Sequence, residues 1–399
     1  MNRMRVWAEI DLDALGHNLA RIRCQAGPGV RLMLVVKADA YGHGAVGIAH
    51  HAVRAGIGAL GVGTSEEALE LRQAGIRVPI LVLGTVIDEE LRACLTHDVH
   101  LGVHTGDRAR QLSRLAAQMG TRAHVHLNVD TGMGRLGVPP TRALALLREI
   151  HGDAHLQLAG VMTHLAATAG AHAPEGREQV RLFDGFLEQA RTITPHLGWV
   201  HVANSAGIFS GLGPRYNTVR PGLSAYGAVS ASLPGGEDLR QVMSLRSQVV
   251  FIKDLPEGAP VGYESTWRAP RATRIATLPI GYADGLPWRA SPGGEVLLRG
   301  QRAPIVGRIS MDYTTVDVGH IPDVHVGDVA TLIGRDGEHR ILLGDLAEQA
   351  GTIPYEISCS LGRRVLRRYV GGEEIDVPRQ DPSAPVLPVA PQPQDRART

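Results

Sequence analysis

The residues with the plainest chemistry sit where an apolar run stops. Leu32-Met33-Leu34-Val35-Val36 reads as a buried strand, and Lys37 follows it directly, ahead of Ala38-Asp39-Ala40-Tyr41-Gly42-His43-Gly44 and the helix-like stretch from Ala45 to Val53. A lysine at the carboxyl end of a parallel strand faces the side of an α/β fold where chemistry is usually done, and an amine held there can form a Schiff base, with Tyr41 close by. The alternative is an amine that merely snorkels out of a strand end, and this stretch alone leaves both readings open.

Other polar residues fall at the ends of later strand-like runs: Asn128, Asp130 and Arg135, then His164, then Asn204 and Ser205, then Arg220 with Gly222 and Leu223. Each has a plainer reading. His164 could be a hydrogen-bonded core histidine, and Asp130-Thr131-Gly132-Met133-Gly134-Arg135 a glycine turn with a solvated arginine. Arg220 is harder to dismiss, because a guanidinium in an apolar strand needs partners. Arg135 would suit a fork aimed at a carboxylate or phenolate, while Ser205 and the amides near Gly222 would suit a phosphate. A phosphate-bearing aldehyde joined to Lys37 accounts for the set together. A metal does not, because the histidines lack zinc-ligand spacing and no carboxylate cluster suggests magnesium.

The elements that must position these residues recur regularly. From Leu32 the strand candidates continue at Ala59 to Gly63, Val78 to Leu83, Val99 to Val103, Ala123 to Val129, Leu156 to Met162, Trp199 to Val202 and Asn217 to Arg220, mostly separated by helical periodicity. Thr64-Ser65-Glu66-Glu67 is a capping-box signature opening one of those helices. Eight strand candidates over roughly 190 residues predict an α/β fold, a (β/α)8 TIM-type barrel, in which the carboxyl ends converge. No glycine-rich dinucleotide fingerprint supports a doubly wound sheet instead.

Near Ser230 the texture changes to short β-branched runs, among them Met243 to Phe251, Arg274 to Leu278, Glu295 to Leu298, Ala303 to Val306, Thr314 to Val318 and Asp328 to Leu332, with one helix-like insert, Leu343 to Gln349. The expected organisation is a barrel over residues 1–235, its first strand and helix packing with the second unit, then a C-terminal mainly-β domain over 236–370 and a Pro-rich, solvated tail over 371–399.

A formal net charge of +1 over 399 residues, with charges interspersed, leaves no basic surface that demands nucleic acid. No apolar segment reaches transmembrane length and no secretory signal opens the chain. Three widely spaced cysteines, Cys24, Cys94 and Cys359, point to a reducing compartment and a cytoplasmic location.

The chain resembles the alanine racemases, fold type III pyridoxal 5'-phosphate enzymes built from a barrel and a β domain. The resemblance spans nearly all of residues 5–370. It is carried by Val36-Lys37-Ala38-Asp39-Ala40-Tyr41-Gly42-His43-Gly44, Val129-Asp130-Thr131-Gly132-Met133-Gly134-Arg135-Leu136-Gly137, Thr163-His164, Ala203-Asn204-Ser205, Val219-Arg220-Pro221-Gly222, Pro279-Ile280-Gly281-Tyr282-Ala283-Asp284-Gly285 and Gly307-Arg308-Ile309-Ser310-Met311-Asp312. It implies a cofactor joined covalently to Lys37, which also moves the α-proton on one face of the substrate, and Tyr263 of a second subunit as the base on the other face. It implies Arg220 at the pyridine nitrogen, ordered by His164, and phosphate contacts from Tyr41, Ser205, Tyr355, Gly222 and Leu223, with Asn204 beside them. Arg135 would hold the cofactor phenolate and substrate carboxylate, joined by Met311 and Tyr282 of the partner in a homodimer with shared sites.

Two positions depart from the family pattern. Asn128 stands where many members carry a carbamylated lysine that braces the arginine, so an anion such as chloride, or a different network, would have to position Arg135. The segment Thr163 to Gly170 lacks the usual acidic residue. The implied activity is interconversion of L-alanine and D-alanine, supplying D-alanine for peptidoglycan. The alternatives are a serine or broad-spectrum racemase of the same family and, further off, a decarboxylase or a non-catalytic cofactor carrier. A pocket separates substrates that differ by one small group only weakly.

Overall fold

The computed structural model describes residues 4–166, 172–228 and 235–372. The Thr168-Ala169-Gly170 departure and nearly all of the Pro-rich tail lie outside them.

The first strand, β1 (Val6–Asp11), does not enter the barrel. Its last residue instead caps the helix Leu12–Ala26, with Asp11 Oδ1 accepting from the Ala14 amide at 2.8 Å. Eight parallel strands then close on themselves: β2 (Arg31–Val35), β3 (Ala59–Val62), β4 (Ile80–Val82), β5 (His100–Val103), β6 (Ala123–Asn128), β7 (Leu156–Met162), β8 (Trp199–His201) and β9 (Thr218–Val219). Closure is made by β9 lying beside β2, Arg31 opposite Thr218 and Leu32 opposite Val219. The strands read as short apolar runs because both faces are covered, by helices outside and by side chains such as Met33, Ala59, Leu81 and Met162 within.

All eight barrel strands expected from Leu32 to Arg220 are present in the expected order, although the last is only Thr218–Val219. The capping box also forms. Thr64 Oγ1 accepts from the Glu67 amide at 3.4 Å, and Glu67 Oε2 accepts from the Thr64 amide at 3.3 Å. Glu67 does more than cap: its carboxylate also takes the amides of Gly63 at 2.7 Å and Ala38 at 2.6 Å, tying the segment after Lys37 to the next βα loop.

The second unit is mainly β. β1 is built into its large sheet, antiparallel to Met243–Gln248 and parallel to Leu366–Val370. A second, three-stranded sheet comprises Phe251–Leu255, Thr273–Leu278 and Thr314–Asp317. Two expectations need correction. The run from Met243 to Phe251 is not one strand: it leaves the first sheet after Gln248, and the Val250 amide bonds the Thr277 carbonyl of the second at 2.9 Å. The helix Leu343–Ala350 is not alone, for Pro354–Ser360 follows it with proline at a position where a missing N–H costs nothing.

Candidate active site

Lys37 leaves the carboxyl end of β2 half-buried, and its environment follows from the turn after it. Ala38, Asp39, Ala40 and Tyr41 all have φ of 53–54°, the left-handed region that non-glycine residues rarely occupy. Each such residue costs about 1 kcal/mol or more. The surroundings hold the turn: Glu67 takes the Ala38 amide, and Asp39 Oδ1 takes the Ala45 amide at 2.7 Å. Gly42 and Gly44 are left-handed as well, at φ 81° and 91°, and the four residues before Gly42 extend that conformation without glycine. The reversal swings Tyr41 back across the barrel mouth. A Cβ built on Gly222 would lie 2.8 Å from the Tyr41 hydroxyl oxygen, so any side chain there would push that phenol away from the loop after β9.

Lys37, Asn128, Arg135, His164 and Arg220 line one cavity of about 530 Å³, counting its open mouth. Burial, then the Arg135 charge, lowers the Lys37 pKa from its ordinary value, which enlarges the neutral, basic fraction of the amine. The Asp130 carboxylate folds the Arg135 loop, accepting the amides of Gly132, Met133 and Gly134 at 2.9–3.2 Å. Arg135 itself is exposed and makes no hydrogen bond or ion pair among the described residues.

Arg220 is buried, with 3% of its surface exposed. Among the described residues no carboxylate meets it. Its Nη1 donates to His201 Nδ1 at 2.8 Å and the His201 carbonyl at 2.7 Å. Its Nη2 donates to the carbonyls of Thr163 at 2.8 Å and Val202 at 3.2 Å and to His164 Nδ1 at 3.2 Å. Burial pushes its pKa down to about 10, so it stays cationic at neutral pH. Burial and the charges of Arg220, Arg135 and Lys37 push His164 down to about 3, so that ring is neutral.

At the neighbouring loops the hydroxyl of Ser205 gathers donors: the amides of Gly222 at 3.2 Å and Ser224 at 3.1 Å, and the Ser224 hydroxyl at 3.0 Å. Convergent N–H groups beside Tyr41 and Ser205 are the donor set that an anionic group such as a phosphate requires. Asn204 is committed locally instead, its oxygen capping the Gly207 amide at 3.0 Å and its amide reaching the Leu165 carbonyl at 3.4 Å. Tyr355 stands on the helix Pro354–Ser360, and burial above all raises the Tyr41 pKa, so that phenol stays protonated.

Tyr263, Met311 and Tyr282 do not line this cavity. They lie on the β unit with 73%, 53% and 46% of their surface exposed. Tyr263 stands in a tight turn with Glu264 and Ser265 at positive φ, and Tyr282 is paired to the Met311 segment, its amide on the Ser310 carbonyl at 3.1 Å.

Sequence reading missed two residues that hold the site. His201 accepts from Arg220; its signal was alternation within β8, which turns Trp199 and His201 to the same side. Gln179, on the helix Pro174–Ile193, donates to the His164 carbonyl at 2.9 Å and accepts from the Ala166 amide at 2.9 Å, with no local signal.

The family profile for the alanine racemase N-terminal domain matches residues 10–230, and that for the alanine racemase C-terminal domain matches residues 242–369. The chain belongs to the alanine racemase family. The alanine racemase of Halothermothrix orenii is 40% identical over 370 residues, 92% of this chain and 98% of the relative. Among solved structures, alanine racemase from D-cycloserine producing Streptomyces lavendulae superposes with a TM-score of 0.87 at 35% identity, covering 94% of this chain and 99% of that one. The alanine racemase of Clostridium difficile 630 gives 0.88 at 32%, covering 93% and 97%. Alanine racemase members thus share both units of this chain, and no helix among its described residues is long and apolar enough to cross a membrane.

Proposed function

We propose that this chain interconverts L-alanine and D-alanine, using pyridoxal 5'-phosphate, and that its site is completed by a second copy of the chain. The observation that carries the reading is that one cavity brings a Lys37 of lowered basicity together with Arg135, His164 and a buried Arg220 bonded to histidines and carbonyls. The residues fit the cofactor: Lys37 offers the amine to which its aldehyde joins, and Tyr41, Ser205, Tyr355 and the amides of Gly222 and Leu223 would hold its phosphate. When bound, the cofactor supplies an electron sink that stabilises negative charge at the substrate's Cα.

The chain's own residues then set the outcome. Arg220 keeps its proton at neutral pH, so it would offer the cofactor ring a hydrogen bond without protonating it, which would keep negative charge near the substrate Cα. Arg135 holds the substrate carboxylate, and an anion such as chloride beside Asn128 would brace it. Lys37 Nζ moves the proton on one face, and Tyr263 from the second copy, with Met311 and Tyr282 beside it, serves the other. Two bases fixed on opposite faces need positioning more than extreme basicity. The exposure of those three β-unit residues fits a partner's cavity better than their own. The D-alanine formed would feed peptidoglycan synthesis in the cytoplasm.

The test is to incubate purified protein with each alanine enantiomer in deuterated water and follow chirality and label. Each enantiomer should yield the other, the newly formed one carrying α-deuterium. Absence of inversion from either enantiomer would contradict the reading.

A further inference from the structure

The interior of a (β/α)8 barrel is normally filled by branched apolar side chains. Here three strands each contribute a histidine to it: His100 on β5, His126 on β6 and His201 on β8, with 7%, 0% and 0% of their surfaces exposed. They join end to end. His201 Nε2 lies 2.9 Å from His126 Nδ1, and His126 Nε2 lies 3.1 Å from His100 Nδ1. The inner end of the line is Arg220, whose Nη1 is 2.8 Å from His201 Nδ1.

A guanidinium has donors only, so His201 Nδ1 must present its lone pair. In a neutral ring the proton is then on Nε2, which donates to His126 Nδ1. The same step sets His126, whose Nε2–H donates to His100 Nδ1. Run the other way, the line would turn an N–H of His201 onto an N–H of Arg220. We propose that Arg220, His201, His126 and His100 form a one-way hydrogen-bond relay of neutral Nε2–H imidazoles, in which His126 is a positioning residue that keeps His201 an acceptor for Arg220.

Packing supports the assignment. A Cβ on Gly160 would fall 2.7 Å from His126 Nδ1 and 2.5 Å from the Trp199 carbonyl oxygen, so β7 carries glycine where the ring needs room. Trp199 closes the line, its ring 5.5 Å from that of His126 and 5.7 Å from that of His100. The charged groups around it are Arg220 inside and, at the outer end, Arg31 over Trp199, Arg72, Asp98, and His124 stacked on His100 at 4.7 Å. Burial disfavours the protonated form of all three rings. The relay also bears on the outer cluster of Asp98, His100 and His124, whose ligand atoms lie within 4.8 Å of one another. His100 spends its Nδ1 lone pair on His126 and carries its proton on Nε2, which leaves it nothing to give a metal.

The positioning role rests on the proposed function of Arg220; the tautomer assignment does not. Nitrogen-15 NMR of histidine-labelled, cofactor-loaded protein reads the tautomers directly. His201, His126 and His100 should each show the neutral Nε2–H pattern, unchanged between about pH 6 and 8. In His126→Leu the His201 pattern should shift and kcat fall about tenfold with KM nearly constant, because a buried N–H has lost its acceptor. His126→Gln, whose side-chain oxygen still accepts, should recover most of both. A wild-type His201 bearing a proton on Nδ1 would overturn the relay, and this measurement stands alone if His126→Leu does not fold. An unchanged kcat and tautomer in His126→Leu, or a His126→Gln as impaired as it, would overturn the positioning role. If the protein does not racemise alanine, the tautomer pattern still decides the relay.

Discussion

Arg220 donates to His164 Nδ1 over 3.2 Å, so the imidazole at the cavity wall turns its lone pair to the guanidinium and its Nε2–H away. One donor-only side chain therefore sets the protonation of two histidines, His164 and His201. Replacing Arg220 by Met should strand the acceptors at His201, Thr163 and Val202 without partners. We expect a loss of roughly 2–4 kcal/mol in folding stability, read from denaturant midpoints. Lys at this position, a point charge that cannot fork, should recover only part of it.

Stability should fall on acidification below neutrality. His164 and His100 are held down to about 3, and His126 and His201 lie well below 6.5, burial being the largest cause for each and neighbouring charges adding to it. The unfolded chain takes up these protons near 6.5 and the folded chain does not until far lower, so the contribution is complete above about pH 6.5 and is lost as pH falls below it. Each group can add up to about 1.4 kcal/mol per pH unit in that window. Urea midpoints at several pH values check this; a flat profile between about pH 4 and 6.5 would show that the rings protonate without unfolding.

Gly222→Ala should weaken cofactor retention more than folding. The added methyl reaches the Tyr41 hydroxyl, at 2.8 Å, where the proposed phosphate donors converge. Titration of the cofactor-free protein should show affinity reduced by about tenfold or more, with a thermal midpoint near wild type.

Lys37→Ala should lower racemisation from both enantiomers by at least about a hundredfold, the lower range for a positioned proton-transfer group. Chiral chromatography of each direction measures it. A variant impaired in one direction only would contradict a shared intermediate state between the two bases.

The barrel was legible because strands covered on both faces appear as short apolar runs at regular intervals, and the residues just after them, Lys37, His164 and Arg220, stand out as polar interruptions. What stayed hidden depends on contacts across the fold. The left-handed turn from Ala38 to Tyr41 uses no glycine and is held by Glu67 from another loop. His126 and His201 were concealed because a strand's alternation tells which residues share a face, not that three strands will bring histidines within 3.1 Å. Pro354–Ser360 is short and half polar, so its periodicity carried little signal.

The central claim is that Lys37 and Tyr263 serve one site from different copies of the chain. Mixing two separately inactive variants, Lys37→Ala and Tyr263→Phe, after dissociation and reassociation tests it most directly. Random pairing gives each mixed dimer one intact site, so activity should recover to about a quarter of wild type. No recovery from the mixture, or full activity in Tyr263→Phe alone, would contradict it.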